Sequence, residues 1–439
     1  MLKVIRKSYF RRDMFLTVFI QKKNFLTNEY QCTDAWNKQI SSPLLNRINL
    51  TDFYNTLDQQ VSSKGVISAL DVDIFANAVK DPVYLEELKD LLLKLRLSAE
   101  TGNMLESTHH ATIRHFIEFE RIEELIAILK DPLNFGLFLD DYTANILLDK
   151  LITSSKYEQA ATVASLVMLQ EEYNNDITCA LCQYACYKYI IGYIKSEPTE
   201  AINEKKKTEE IKIRIKYLRN PYFDDHFDIK DLYIASGKTL AWISQQNNNN
   251  LNNNLQLIGW LTYRKNDKLV ALCNNLFENK SSIIYPEVIE LLKRDCNTVE
   301  EQFKISLENC ISMLSNVKLS EVSLEESLKT LIENAINKIQ NQDILEQQKS
   351  FKLWEEIREE KLEEQTKRLD RARRLQLIQE KEAEMKESEQ KLWFFENEDS
   401  FDLEIEEKEK LTEESAARNE TTKNTDDNYI PPEILPKRK

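Results

Sequence analysis

The chain has 439 residues, of which 30% are charged, with six glycines, nine prolines and a formal net charge of −15. This length predicts two or three domains or an elongated array. So few turn-forming residues argue against a sheet protein, and the abundance of helix-forming residues predicts an all-α fold. The negative charge argues against a free nucleic-acid binder, which normally has a basic domain. Seven scattered cysteines fit a reducing compartment, and no apolar run reaches the roughly 18 residues of a membrane-spanning helix.

The N-terminal segment differs in composition from the rest of the chain. Its cations alternate with apolar residues and are Lys3, Arg6, Lys7, Arg11, Arg12, Lys22 and Lys23. Asp13 is the one acid against them. This pattern is typical of a mitochondrial targeting peptide, which we predict over residues 1–28, with cleavage between Phe25 and Tyr30. The alternative is an ordinary basic amphipathic helix or a membrane-surface anchor.

Helical periodicity begins near residue 45, and from Val66 the predicted helices come in pairs joined by tight turns. The segment that starts at Arg121 aligns with the one that starts at Lys156, an offset of about 35 residues. Repeats of this length predict helical hairpins that stack into a solenoid. We therefore assign residues 45–245 to a helical repeat domain.

Two of these hairpins resemble pentatricopeptide repeats. The residues that carry the resemblance are Thr143, Asn145, Leu147, Asp149 and Leu151 in a first helix, Glu158 and Ala160 in a second helix, and Gly136 and Asp140 at a repeat end, where Leu139 replaces the family's proline. The order of targeting peptide, hairpins and charged C-terminal helix is similar to that of the pentatricopeptide-repeat proteins of the mitochondrial small ribosomal subunit. The resemblance covers about residues 66–245 and 345–390 and is absent from the tail.

The resemblance implies an α-solenoid in the mitochondrial matrix, bound to small-subunit ribosomal RNA and other mitochondrial ribosomal proteins and supporting mitochondrial translation. It implies no enzyme activity, cofactor, metal, membrane association or small-molecule substrate. Two alternatives stay open. One is a free pentatricopeptide RNA-binding factor for a mitochondrial transcript or transfer RNA, and the other is a helical adaptor that binds only protein.

In pentatricopeptide repeats, two selector positions per repeat meet one base of single-stranded RNA. Carried over by resemblance, these positions are His110 with Asp140, and Asn145 with Asn175. His110 and Asn175 depart from the residues usual in the family. The alternative is that these residues cap turns and line a seam between helices.

Basic clusters offer a second route to RNA through phosphate contacts, with aromatic stacking beside the first of them. The first cluster is Lys205, Lys206, Lys207, Lys212, Arg214, Lys216 and Arg219. The second is Arg264, Lys265 and Lys268, and the third is Lys367, Arg368, Arg371, Arg373 and Arg374. The alternative interpretation is that each cluster is a solvated face.

Four further segments complete the predicted organisation. We predict a solvated Asn-rich loop without fixed structure at 246–254 and a second helical region at 255–345. We predict a long charged helix over residues 346–393, and we favour this over a two-stranded coiled coil. The acidic segment 394–439 predicts a disordered tail.

Two motifs imitate chemical sites. The cysteines at 179, 182 and 186 have the spacing of one buried helix face: Cys179, Cys182 and Cys186. A zinc site would need a fourth ligand, and the nearby sequence offers none. The segment Ser236–Leu240 reads SGKTL, but Leu232 stands where a phosphate-binding loop needs glycine. We therefore predict no enzyme.

Overall fold

The computed structural model describes residues 24–193, 229–279, 282–296 and 301–422. The chain divides into two compact units, Met1–Arg358 and Glu359–Lys439. The described residues are almost entirely helical, which confirms the predicted all-α, solenoid-like class. Most of the predicted targeting peptide lies outside the described residues.

The first unit starts with helices α1 (Thr33–Ile40) and α2 (Leu50–Lys64). Its next helices are α3 (Ala69–Ala78), α4 (Leu85–Leu97), α5 (Glu106–Glu118), α6 (Ile122–Leu129), α7 (Pro132–Phe135), α8 (Asp141–Thr153), α9 (Tyr157–Met168) and α10 (Asp176–Gly192). Then come α11 (Leu232–Gln245), α12 (Asn250–Thr262), α13 (Asn266–Glu278), α14 (Pro286–Cys296) and α15 (Glu301–Ser315). Short 3-10 helices lie at Asn28–Gln31, Leu45–Arg47, Pro82–Tyr84 and Ala99–Asn103.

A single helix, α16 (Leu324–Glu396), contributes residues 324–358 to the first unit and the rest to the second, which also holds α17 (Glu398–Thr422). Two short strands, β1 (Ile283–Ile284) and β2 (Lys318–Leu319), pair in parallel. One apolar core runs through the first unit from the N-terminal segment to Trp354.

Three hairpins share the same turn between their helices. The second residue after the first helix has positive φ in each, at 61° for Glu120, 59° for Ser155 and 60° for Arg264. The next backbone N–H donates five residues back, from Arg121 to Phe116 (2.9 Å), Lys156 to Leu151 (3.0 Å) and Lys265 to Trp260 (3.1 Å). These are Schellman bonds, which satisfy carbonyls at the helix end. The predicted alignment of Arg121 with Lys156 is therefore confirmed, and α12–α13 is a third hairpin of the same kind.

The prediction of an unstructured Asn-rich loop is wrong from Asn250 onward, because α12 begins there. Asn254 is fully buried, and its Nδ2 donates to the carbonyl of Ile283 at 2.8 Å. The Oδ1 of Asn252 accepts from Gln183 Nε2 at 3.2 Å. These amides satisfy polar groups that burial would otherwise leave without a partner, which is why the asparagines are ordered. The predicted boundary at residue 254 thus falls within one hairpin.

The prediction of a disordered tail is also wrong as far as residue 422, since Glu398–Thr422 forms α17. This helix is exposed, and pairs four residues apart support it, with Lys408 Nζ 3.8 Å from Glu404 and Lys410 Nζ 3.9 Å from Glu406. Residues 423–439 lie outside the described part of the chain.

The two motifs that imitate chemical sites lie inside helices. Cys182 and Cys186 are fully buried in α10, and Cys179 is partly buried, so the predicted helix face is confirmed. Ser236–Leu240 lies within α11, where Gly237 allows close contact with Thr262 of α12.

Candidate nucleic-acid interface

The first helices of the hairpins present one row of polar side chains, and this row includes three of the predicted selector positions. Its members are Asp73 on α3, His110 and Arg114 on α5, Asn145 and Asp149 on α8, and Asn175 at the start of α10. In a solenoid such a row forms the inner face, which is the face expected to meet a ligand. Here most of the row is buried.

Residues 324–358 of α16 cover this row and meet the hairpins in reverse chain order. Glu325 Oε2 accepts from Lys188 Nζ of α10 at 3.1 Å. Trp354 Nε1 donates to Glu106 Oε2 at the start of α5 at 3.4 Å. Arg358 then reaches Asp73 of α3. The chain's own helix therefore occupies the inner face.

The Asp73–Arg358 pair is the most buried ion pair among the described residues. Arg358 Nε donates to Asp73 Oδ2 at 2.7 Å, and the two side chains are 3% and 0% exposed. Asp73 Oδ1 also accepts from Ser107 and from Thr108, the latter at 2.9 Å. These neutral donors compensate part of the cost of removing a carboxylate from water.

His110 lies in an aromatic cluster rather than at a surface. Its ring centroid is 5.2 Å from those of both Phe351 and Trp354 on α16, and 5.4 Å from that of Trp36 on α1. Burial, together with the nearby Arg114, lowers the pKa of His110 well below its ordinary value. Neither ring nitrogen has a hydrogen-bond partner among the described residues. His110 is thus held neutral, as an apolar packing element.

Asn145 is covered by the N-terminal segment. Its Nδ2 donates to the hydroxyl of Tyr30 at 2.9 Å, and that hydroxyl donates to Asp343 Oδ2 of α16 at 3.0 Å. Asn175 Nδ2 donates to the same carboxylate oxygen at 3.2 Å. The Tyr30 ring stacks on Tyr142 with centroids 5.0 Å apart.

Asp140, the fourth selector position, caps α8 by accepting from the backbone N–H of Thr143 at 3.3 Å. All four positions therefore make intramolecular contacts. His110 and Asn145 are 2% and 0% exposed, so an RNA base would have to displace Phe351 and Tyr30 to reach them. The base-reading role of the four residues stays a prediction.

A cavity of about 370 Å³ lies beside this cluster and is lined by Asn24, His110, Arg114, Asp149 and Lys150, among others. Asp149 Oδ1 accepts from the backbone N–H of Phe25 at 2.9 Å, and burial raises the pKa of this carboxyl to about 6. In the described ranges, no group of His, Cys, Asp or Glu is arranged to hold a metal ion. No described helix has the length and apolarity needed to cross a bilayer.

The third predicted basic cluster belongs to the second unit. Arg371, Arg373 and Arg374 are exposed on the α16 segment of the second unit. Lys367 on the same segment pairs with Glu363 at 2.8 Å. The cluster from Lys205 to Arg219 lies outside the described residues.

The second basic cluster lies at the turn between α12 and α13. Lys268 Nζ is 4.3 Å from the centroid of the Trp260 ring, and Lys265 Nζ is 5.3 Å from that of Tyr263. These cation–π contacts place both ammonium groups at the exposed end of the hairpin.

The residues that close the inner face were not predicted from the sequence, and they include Tyr30, Phe351 and Arg358. A signal was present on α16. Its buried residues recur at helical spacing and are Leu324, Leu328, Ile332, Ala335, Ile336, Gln347, Phe351, Trp354 and Arg358. No residue beyond Arg358 continues this series. The series ends at the last residue of the first unit.

One protein family matches most of the chain. The model of the family described as mitochondrial 28S ribosomal protein S27 matches residues 1–387. The match includes the hairpins and most of α16, and it ends before α17. The chain therefore belongs to the mitochondrial 28S ribosomal protein S27 family, and it is a component of the small subunit of the mitochondrial ribosome in the matrix.

Proposed function

We propose that the chain is a non-catalytic, structural component of the small subunit that contacts ribosomal RNA through exposed cations and supports mitochondrial translation. The observation that carries this proposal is the burial of the inner face beneath the chain's own α16. With His110 and Asn145 inaccessible, electrostatic contact through exposed cations is the route to RNA that needs no rearrangement of the fold.

The third basic cluster is the best described of these exposed groups. Lys367, Arg371 and Arg374 follow one another at spacings of four and three residues and so share one side of α16. None of Arg371, Arg373 and Arg374 forms an ion pair within the part of the chain that the structure describes. Exposed guanidinium groups that form no such ion pair are available for bidentate contacts with phosphate.

The buried inner face weakens the case for a free pentatricopeptide RNA-binding factor, because such a protein needs open selector positions. The acidic total charge favours a protein-only adaptor, and RNA binding separates that alternative from our proposal.

We also propose that residues 1–28 contain a targeting peptide. Because Phe25 and Tyr30 both contact α8, we place its cleavage before Phe25.

The test is the salt dependence of binding between the purified full chain and labelled single-stranded segments of mitochondrial small-subunit ribosomal RNA. Replacing Arg371, Arg373 and Arg374 with Gln should lower the slope of log K against log salt by about 2, because each lost phosphate contact removes about 0.7. The matched control replaces Lys408, Lys410 and Arg418 of α17 with Gln and should leave the slope unchanged. Equal effects of both triple variants would contradict the proposed surface, and a wild-type chain without salt-dependent binding would favour the adaptor.

A further inference from the structure

The C-terminal part of α16 exposes large apolar side chains that its own unit leaves uncovered. Met385, Leu392 and Trp393 are 72%, 67% and 57% exposed. Together with Glu384, Ser388, Glu389 and Glu396 they line a groove of about 620 Å³. Residues 385, 389, 392 and 396 follow one another at spacings of four, three and four, and residue 393 is four beyond 389, so all five lie on one side of the helix. The groove has an apolar floor and a carboxylate rim.

The indole of Trp393 is held in place by its neighbours. Its ring centroid is 5.4 Å from that of Phe401 on α17 in an edge-to-face arrangement. Phe394 stacks on the same Phe401 ring at 5.9 Å. The turn between the helices is fixed by Asn397, whose N–H donates to the carbonyl of Trp393 at 3.2 Å. The aromatic surface is therefore formed before any partner binds, which lowers the entropic cost of binding.

The charge around the groove selects among possible occupants. The helix Glu398–Thr422 has ten acidic and three basic residues. The nearby cation Lys391 is paired with Glu387 at 2.9 Å. This negative field repels RNA, anionic lipid and a second copy of the same segment, whereas it attracts a cationic protein.

The groove combines the indole of Trp393 with the carboxylates of Glu389 and Glu396. This combination can bind the cationic side chain of an arginine or a lysine. A cation over the face of an indole is attracted electrostatically by the ring, and the attraction is stronger when the cation is desolvated. Carboxylates beside the ring accept charge-assisted hydrogen bonds from the same cation. Met385 and Leu392 adapt to apolar side chains on the same partner.

We propose that the groove of Met385, Glu389, Leu392, Trp393 and Glu396 binds an arginine- or lysine-rich amphipathic segment of a protein partner. One cation of that segment lies over the Trp393 ring, and its apolar side contacts Met385 and Leu392. Most of the groove lies beyond residue 387, where the family match ends. The proposal does not depend on RNA contact elsewhere in the chain.

The test measures fluorescence anisotropy of a labelled amphipathic peptide of leucine and arginine on addition of the purified full chain. Trp393→Ala should weaken binding about tenfold, and Trp393→Phe should weaken it less, because a phenyl ring keeps part of the cation–π attraction. The double substitution of Glu389 and Glu396 with Gln should also weaken binding, with a smaller salt dependence. The matched control replaces Glu404 and Glu406 of α17 with Gln and should change the affinity less than about twofold. Circular dichroism checks that every variant keeps its helix content.

Three results would overturn the proposal. Equal binding of a peptide with glutamate in place of arginine would show that the groove recognises only apolar surface. Equal losses from the control and from the Glu389/Glu396 variant would show general attraction to acidic helices. Self-association of the full chain that disappears in Trp393→Ala would instead assign the groove to a second copy. Because the peptide assay contains no RNA, its failure would leave the proposed RNA contact unaffected.

Discussion

Asp73 and Arg358 are 285 residues apart in the chain, yet Arg358 Nε donates to Asp73 Oδ2 at 2.7 Å inside the core. The pair joins the first hairpin to the end of the α16 segment that covers the inner face. It therefore provides a sensitive measure of whether α16 is bound there.

Arg358→Met should lower the free energy of unfolding by about 3 kcal/mol, because it leaves the Asp73 carboxylate buried without its counter-charge. Chemical denaturation of the full chain measures this change. The double substitution Asp73→Leu with Arg358→Met should recover part of the loss, since it removes both buried charges.

The matched control for this pair is Lys338→Met, which breaks an exposed ion pair with Asp176. It should cost less than about 1 kcal/mol. A loss no larger in Arg358→Met than in this control would mean that Arg358 reaches water in solution and that α16 does not close the face.

His110→Phe should stabilise the fold by about 1 kcal/mol at pH 7, since it removes two buried nitrogens that lack partners. Because the lowered pKa keeps His110 neutral in the folded state, the wild type loses stability as pH falls below the unfolded pKa of about 6.5. The variant should lose less in that range. Denaturation midpoints at pH 7 and pH 5 measure both effects.

The same variant separates packing from base reading. RNA affinity should be unchanged in His110→Phe if the residue only packs against Phe351 and Trp354. A marked loss of affinity without a gain in stability would restore the selector role to His110.

We expect Asp149 to give the folding stability a pH dependence of opposite sign to that of His110. Its raised pKa, about 6 in the folded chain, means that the folded state holds the proton more tightly than the unfolded state. The contribution to stability is therefore fully present below the unfolded pKa of about 3.9 and is lost as pH rises to about 6. The wild type should lose about 2 kcal/mol relative to Asp149→Asn between pH 4 and pH 7. Parallel stability curves for the two proteins would contradict the buried carboxylate.

Gly259→Ala should destabilise the contact between α11 and α12 by about 1–3 kcal/mol. A Cβ at Gly259 would lie 2.6 Å from the backbone nitrogen of Ala241 and 2.7 Å from the carbonyl oxygen of Gly237. Gly192→Ala is the control, because a Cβ there meets nothing within 4 Å, and alanine at this helical position should be neutral or stabilising. Equal thermal midpoints for both variants would show that the two helices separate easily.

The sequence predicted the local features of the fold but not the closure of the inner face. The all-α class and the hairpin turns follow from periodicity over a few residues, so Arg121 and Lys156 were aligned correctly. The third hairpin was missed because its first helix starts with asparagines, whose composition is typical of a loop and whose order depends on distant partners such as Ile283. The burial of His110 does not follow from local sequence for a similar reason, since it depends on contacts with residues of α16 more than 200 positions away.

The most direct test of the account is sedimentation of the chain in a sucrose gradient of detergent-lysed mitochondria, with and without nuclease. The chain should migrate with the small ribosomal subunit and leave that position when the RNA is digested. Replacing Arg371, Arg373 and Arg374 with Gln should weaken this association, whereas His110→Phe should not. Migration of the wild-type chain at the top of an undigested gradient would contradict a structural role in the subunit.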